Sequence, residues 1–151
     1  MAVTLNQIVA RIQGIAEKHQ QIKTVFFGNL FEFLAKTPDA RYPAMYFDVV
    51  NASINGSVTT ITFSFFFMDR VLSELSNETE VLSDQLLIAQ DILSQFRYNQ
   101  YPEFVTGETI PIEFFTEESP DLIAGVKADI DFEIDFALDR CAVPTTYTYP
   151  S

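Results

Sequence analysis

Residues 128–139 read A-D-I-D-F-E-I-D-F-A-L-D, and the alternation within them decides the fold class. Odd positions carry Asp129, Asp131, Glu133, Asp135 and Asp139, while even positions carry Ile130, Phe132, Ile134, Phe136 and Leu138. A side-chain period of two places these sets on opposite faces of a β-strand, one facing a core and the other facing solvent or a partner. At about 3.3 Å per residue the run reaches about 40 Å, whereas a compact chain of this length has a radius of gyration near roughly 15 Å. The predicted strand therefore crosses the whole domain and displays a row of carboxylates along its width.

The same alternation recurs over 58–69, with Ile61, Phe63, Phe65 and Phe67 on one side and Thr60, Thr62, Ser64, Phe66 and Met68 on the other. Its segment 61–68 has strong β-propensity, no charge and no proline, so on a free edge it would promote aggregation. A central position, or cover from a partner subunit, is expected. Phe66 and Met68, on the side away from the Phe row, are candidate subunit contacts. Asn55-Gly56 predicts the turn of a β-hairpin, because both central positions of a type I′ turn need positive φ. It joins 58–69 to a strand over 44–50, where Met45, Phe47 and Val49 share a face. Shorter strands are expected over 23–28 and 110–115, with an irregular or helical continuation over 29–35 and a single turn over 121–125.

Two helices complete the pattern. Thr4 and Gln7 form a predicted capping box, Val3 and Ile8 a staple, and Leu5, Ile8, Ile12 and Ile15 an apolar stripe over 5–19. Gly14 lies inside that helix, where it implies close packing against another element. Asn77 and Glu80 open a second helix over 78–97, with Leu82, Leu86, Ala89, Leu93 and Phe96 as its stripe. The order α-β-β-β-α-β-β predicts an α+β fold: a mainly antiparallel sheet of about five strands with both helices on one face and the acidic row on the other. Residues 1–144 form one predicted domain, and 145–151 an arm whose Tyr147 and Tyr149 are candidate subunit contacts.

The chain has 151 residues, is 48% hydrophobic with fifteen Phe, and carries a net charge of -12. This composition excludes intrinsic disorder. The charge is uneven, about +1 over 1–50, -4 over 51–100 and -9 over 101–151. Such a balance opposes nucleic-acid binding and docking on an anionic membrane, and suits either a basic partner or repulsion of DNA. Cys141 is the only cysteine, so no internal disulfide forms. The N-terminus lacks the basic and apolar regions of a signal peptide, and no apolar run is long enough for a bilayer, so folding in the cytosol without a membrane is expected.

The spacing of Asp129, Asp131, Glu133 and Asp135 suggests calcium, but an EF-hand loop needs Gly and Glu where this chain has Ile134 and Arg140. Carboxylates in one row share one environment, unlike the contrasting pair of a glycosidase. Two residues apart on a strand they repel by about 0.6 kcal/mol in water, so a solvated ladder is tolerable. A buried one would need a partner's Lys or Arg. His19, the sole histidine, has no nucleophile elbow to serve, and the glycines form no phosphate-cradling loop. No catalytic residue, metal site or cofactor is expected.

The amphipathic first helix, the Y-P-A-M-Y-F strand over 42–47, the Asn55-Gly56 hairpin, the long aromatic strand, the single crossing helix and the closing D-R-C-A-V-P over 139–144 together resemble the small neck proteins of tailed bacteriophages. These are the tail terminator, tail completion and head-tail connector proteins. The resemblance implies a non-enzymatic virion protein, assembled in the bacterial cytoplasm as a six- or twelve-fold homo-oligomeric ring between portal or connector and tail. DNA would pass through its lumen without specific binding. The resemblance further implies that Asp129, Asp131, Glu133 and Asp135 line the channel. The alternative is an acidic protein-binding module, a chaperone or DNA mimic, working as monomer or dimer.

Overall fold

The long strand finds its partner in the Phe-rich strand, and the other elements assemble around that pair. The computed structural model describes residues 4–28, 41–71, 77–96, 104–107, 109–117 and 122–135. In chain order the elements are α1 (Leu5–Glu17), β1 (Thr24–Phe27), β2 (Ala44–Asn55), β3 (Val58–Arg70), α2 (Glu78–Gln95), β4 (Val105–Thr106), β5 (Ile112–Glu117) and β6 (Ile123–Asp135). One sheet runs β1-β2-β3-β6-β4, with β5 also paired to β6. All pairings are antiparallel except β1 with β2. The expected α+β class and element order are present. The sheet has six strands rather than about five because the two-residue β4, too short to show a period, pairs with Glu133 and Phe132.

β3 and β6 are in register over thirteen residues, from Val58 opposite Asp135 to Arg70 opposite Ile123. Odd residues of β3 and even residues of β6 therefore share a face. Both helices cover that face: Ile8, Ile12 and Ala16 of α1 and Ile88, Ala89, Ile92 and Leu93 of α2 pack in one cluster with Phe63, Phe65, Phe67, Ile130 and Phe132. Phe132 is the hub, with ring centroids 5.1 Å from Phe63, 5.5 Å from Phe96 and 4.5 Å from Phe104, all near edge-to-face. Each fully buried Phe contributes about 1.5–3 kcal/mol of transfer free energy, which makes this cluster the dominant local source of stability.

Several local expectations hold and several shift. Thr4 Oγ1 accepts the Gln7 N–H at 3.2 Å and Gln7 Oε1 accepts the Thr4 N–H at 2.9 Å, completing the capping box. A Cβ on Gly14 would meet nothing within 4 Å, so this glycine opens space beside α1 rather than allowing close packing. Asn55 pairs with Val58, so the hairpin loop is Gly56-Ser57, one residue later than predicted, with Gly56 at φ 61°. The expected turn over 121–125 is instead the start of β6, where Ala124 and Gly125 pair with both β3 and β5. In α2 the buried seam is Val81, Gln85, Ile88 and Ile92 together with Ala89 and Leu93, while Leu82 and Leu86 are only half-buried. The polar Gln85 hid that seam from the pattern of apolar residues. Its amide is buried with neither Oε1 nor Nε2 hydrogen-bonded. The readings over 29–35, the strand beyond 135, Val3, Cys141 and the arm with Tyr147 and Tyr149 lie outside the described residues.

Gly125 fixes how closely the two central strands approach. A Cβ there would stand 1.8 Å from the Phe67 carbonyl oxygen and 2.9 Å from Met68 Cα, both backbone atoms that have no rotamer by which to yield. Gly125→Ala is expected to lower the unfolding free energy by about 2–4 kcal/mol, in the range of overpacking and backbone-displacing substitutions. Urea denaturation measures it, and Gly14→Ala serves as the control, with a neutral or slightly stabilising effect.

Candidate functional site

Since both helices cover one side, the other side of the sheet carries the odd residues of β6 and the even residues of β3. On β6 these include Asp129, Asp131 and Glu133, all exposed. Opposite them on β3 stand Ser64, Thr62 and Thr60. Ser64 Oγ donates to Asp129 Oδ1 at 2.6 Å, and Thr62 Oγ1 donates to Asp131 Oδ1 at 2.5 Å. The next strand places Asp48 opposite Ser64 and Asn51 opposite Thr62. Asp48, half-buried, accepts its neighbour's Val49 N–H at 2.8 Å. The polar face is thus three strands wide, with the hydroxyls of β3 between the acids of β6 and the single Asp48 of β2.

This arrangement answers a question that the sequence left between two solutions. Asp129 and Asp131 are neither merely solvated nor paired with a cation, and among the described residues no Lys or Arg pairs with Asp129, Asp131 or Glu133. Cross-strand hydroxyls instead orient the Asp129 and Asp131 carboxylates, in charge-assisted hydrogen bonds stronger than neutral ones. Each hydroxyl spends its one proton on the carboxylate and leaves the carboxylate's charge intact. The face is therefore ordered and still negative. Asp135 closes β6 opposite Val58, at the end of the row. Among the described residues no group of three or more His, Cys, Asp or Glu is placed to hold a metal ion.

Toward the other end the same face turns apolar. Ala44, Tyr46, Met68 and Ile123 are buried there, with Phe26, Tyr42, Phe66 and Phe115 packed against them. Phe66 stacks on Tyr46 with centroids 4.2 Å apart and meets Phe115 edge-on at 6.0 Å. Lys127 Nζ sits 5.7 Å above the Phe66 ring. Of the two contacts expected on β3, Met68 is fully buried inside the subunit and has no surface to offer, since it lies in the cluster with Ala44, Tyr46 and Ile123 and the rings packed against them. Phe66 is half-buried and borders a cavity of about 230 Å³ with Tyr46, Phe115, Ile123 and Lys127.

His19 lies in a separate cleft of about 440 Å³ between α1 and α2. Its Nε2 is 3.0 Å from Asp91 Oδ2, and its Nδ1 accepts the Gln21 N–H at 3.2 Å. Both ring nitrogens are engaged, and the nearby Ser94 hydroxyl donates to the Asp91 carbonyl at 2.7 Å. The pair ties the turn that follows α1 to α2. Among the described residues no helix is long and apolar enough to cross a membrane.

Thr62 and Ser64 are members of this face that sequence patterning alone does not single out. Their signal was present, since Thr60, Thr62 and Ser64 alternate with the Phe row, but only the register shows that they face the acids. No protein-family model matches the chain, and no curated protein matches it. Replacing both donors, Thr62→Val with Ser64→Ala, is expected to lower the unfolding free energy by about 1–3 kcal/mol while the fold is kept. Chemical denaturation followed by circular dichroism reads this, and an unchanged midpoint contradicts the ladder.

Proposed function

We propose that the chain is a structural virion protein of the tailed-phage neck, a ring subunit between portal or connector and tail through which the genome passes. One observation carries this reading: an exposed row of carboxylates, Asp129, Asp131 and Glu133, of which the first two are held by cross-strand hydroxyls and none is paired with a described cation. A wall of that kind repels phosphate at every step, so DNA slides past it without a binding site to escape from. Both helices lie on the other side, and Asp129, Asp131 and Glu133 are exposed, as a lumen wall requires. The aromatic half of the same face would lie toward protein neighbours. Ring assembly, the neighbours above and below, and residence in the virion after assembly in the host cytoplasm belong to the same proposal.

An acidic chaperone or DNA mimic would also present carboxylates, yet it would act as a monomer or dimer. The test therefore separates charge from assembly. Asp129→Asn, Asp131→Asn and Glu133→Gln keep a hydrogen-bond acceptor opposite each hydroxyl, so the fold and any ring seen by native mass spectrometry should persist. In the phage that encodes the chain, this triple substitution is expected to reduce the efficiency of genome ejection, and substitution of the same positions by Lys to reduce it further. Unchanged infectivity with both sets contradicts the channel-lining role, and a protein that stays monomeric at high concentration contradicts the ring.

A further inference from the structure

β1 covers β2 only from Ala44 to Phe47. Among the described residues no strand pairs with the outer edge of β2 beyond that point, up to Asn55, nor with the outer edge of β5. An open edge is a row of unpaired backbone donors and acceptors that another strand can complete, and proteins ordinarily blunt it with Lys, Pro or charge. On β2 no charge blunts it: residues 49–68 hold no charged residue in a chain of net charge -12, and the edge departs from regular pairing only at the register shift between Val49 and Asn51. Val50 and Ile54 are 56% and 67% exposed on the β2 edge, and Phe114 is 56% exposed on β5.

We infer that the open half of β2 in one copy pairs with the outer edge of β5 in the next, continuing the sheet from subunit to subunit. This rests on the ring reading and names the strands that would make the contact. Three observations on the two edges agree. First, direction: β2, β3, β6 and β5 alternate, so β5 runs opposite to β2, and a second copy added in the same orientation brings the two together as an antiparallel pair. No two-fold is needed, which is the condition for a head-to-tail contact that can close into a ring.

Second, the faces match. Ile54, opposite Thr59, and Phe114, opposite Val126, both lie on the helix-covered side, so apolar meets apolar. On the other side Asn51 and Ser53 of β2 come beside Glu113 of β5. That repeats between copies what β3 and β6 do within one, where uncharged donors face carboxylates. Third, charge leaves few alternatives. Two β5 edges would set Glu113 against Glu113, whereas the β2 edge brings no carboxylate of its own beyond Asp48. Since β5 stands level with the Ala44–Phe47 end of β2, the contact slides neighbours along their strands by about 20–25 Å. A sheet that closes on itself requires such a stagger with tilted strands.

Cysteine pairs test the contact in the full chain carrying Cys141→Ser. Glu113→Cys is combined in turn with Asn51→Cys, Ser53→Cys or Asn55→Cys and exposed to a mild oxidant. At least one pair should give a ladder of disulfide-linked dimers, trimers and higher species that neither single cysteine gives. Separately, Ile54→Lys, at an exposed position, should weaken self-association about tenfold or more, given the burial of one Ile, without changing the urea midpoint of the monomer. Dimers from the β2 cysteines alone would show β2 pairing with itself and overturn the inference. Rings in native mass spectrometry with no cross-link from any pair overturn it while leaving the ring reading standing. A persistent monomer overturns both.

Discussion

The antiparallel pairing of β3 with β6 is the constraint on which the rest of the structure depends. Over Ile61–Phe67 and Ala128–Ile134 one face of the pair is apolar, and a slip of one residue would bring Asp129, Asp131 and Glu133 under the helices and expel Ile130, Phe132 and Ile134. No neighbouring register is therefore tolerable, and the pair runs thirteen residues without a shift. Gly125 lets the strands approach where a side chain would strike the Phe67 carbonyl. Once that pair is set, α1 and α2 settle on the face that carries the Phe row, and the acidic row emerges on the other.

The same register produces the chemistry of the exposed face. Because Ser64 and Thr62 fall directly opposite Asp129 and Asp131, the side that faces away from the helices becomes a hydrogen-bonded array and not a set of independently solvated acids. Coulomb repulsion along the row is weak in water, about 0.6 kcal/mol between neighbours, so hydroxyl donors suffice to hold the carboxylates in place. Among the described residues no cation pairs with these carboxylates, and the face keeps its charge. A surface meant to bind nucleic acid would need the reverse arrangement.

Most of this architecture is legible in the sequence because it rests on periods. The alternation in β3 and β6 gave both faces, the Thr4 and Gln7 pair gave the start of α1, and the separation of strand runs by helices gave the class. What escaped were features that a period cannot carry. β4 has two residues, Ala124 and Gly125 lack the bulk that marks a strand, and the seam of α2 runs through Gln85, a polar residue that nothing in its side chain's bonding explains. Gly14 misled for a different reason, since a glycine in a helix signals either close contact or open space, and only coordinates separate the two. The hydroxyl ladder needed a register, and register is a property of two strands together. Met68 looked available as a contact because alternation assigns a face without saying whether that face is covered along its whole length.

Native-state hydrogen exchange on the isolated subunit tests this account most directly. If the β3–β6 pair organises the fold, amides of β6 from Val126 to Phe132 and their β3 partners exchange only through global unfolding. Amides of β2 from Asn51 to Asn55 that point to the open edge exchange through far smaller openings. Fast exchange in the middle of β6, or edge amides of Asn51 to Asn55 protected to the global limit in a monomer, would contradict it.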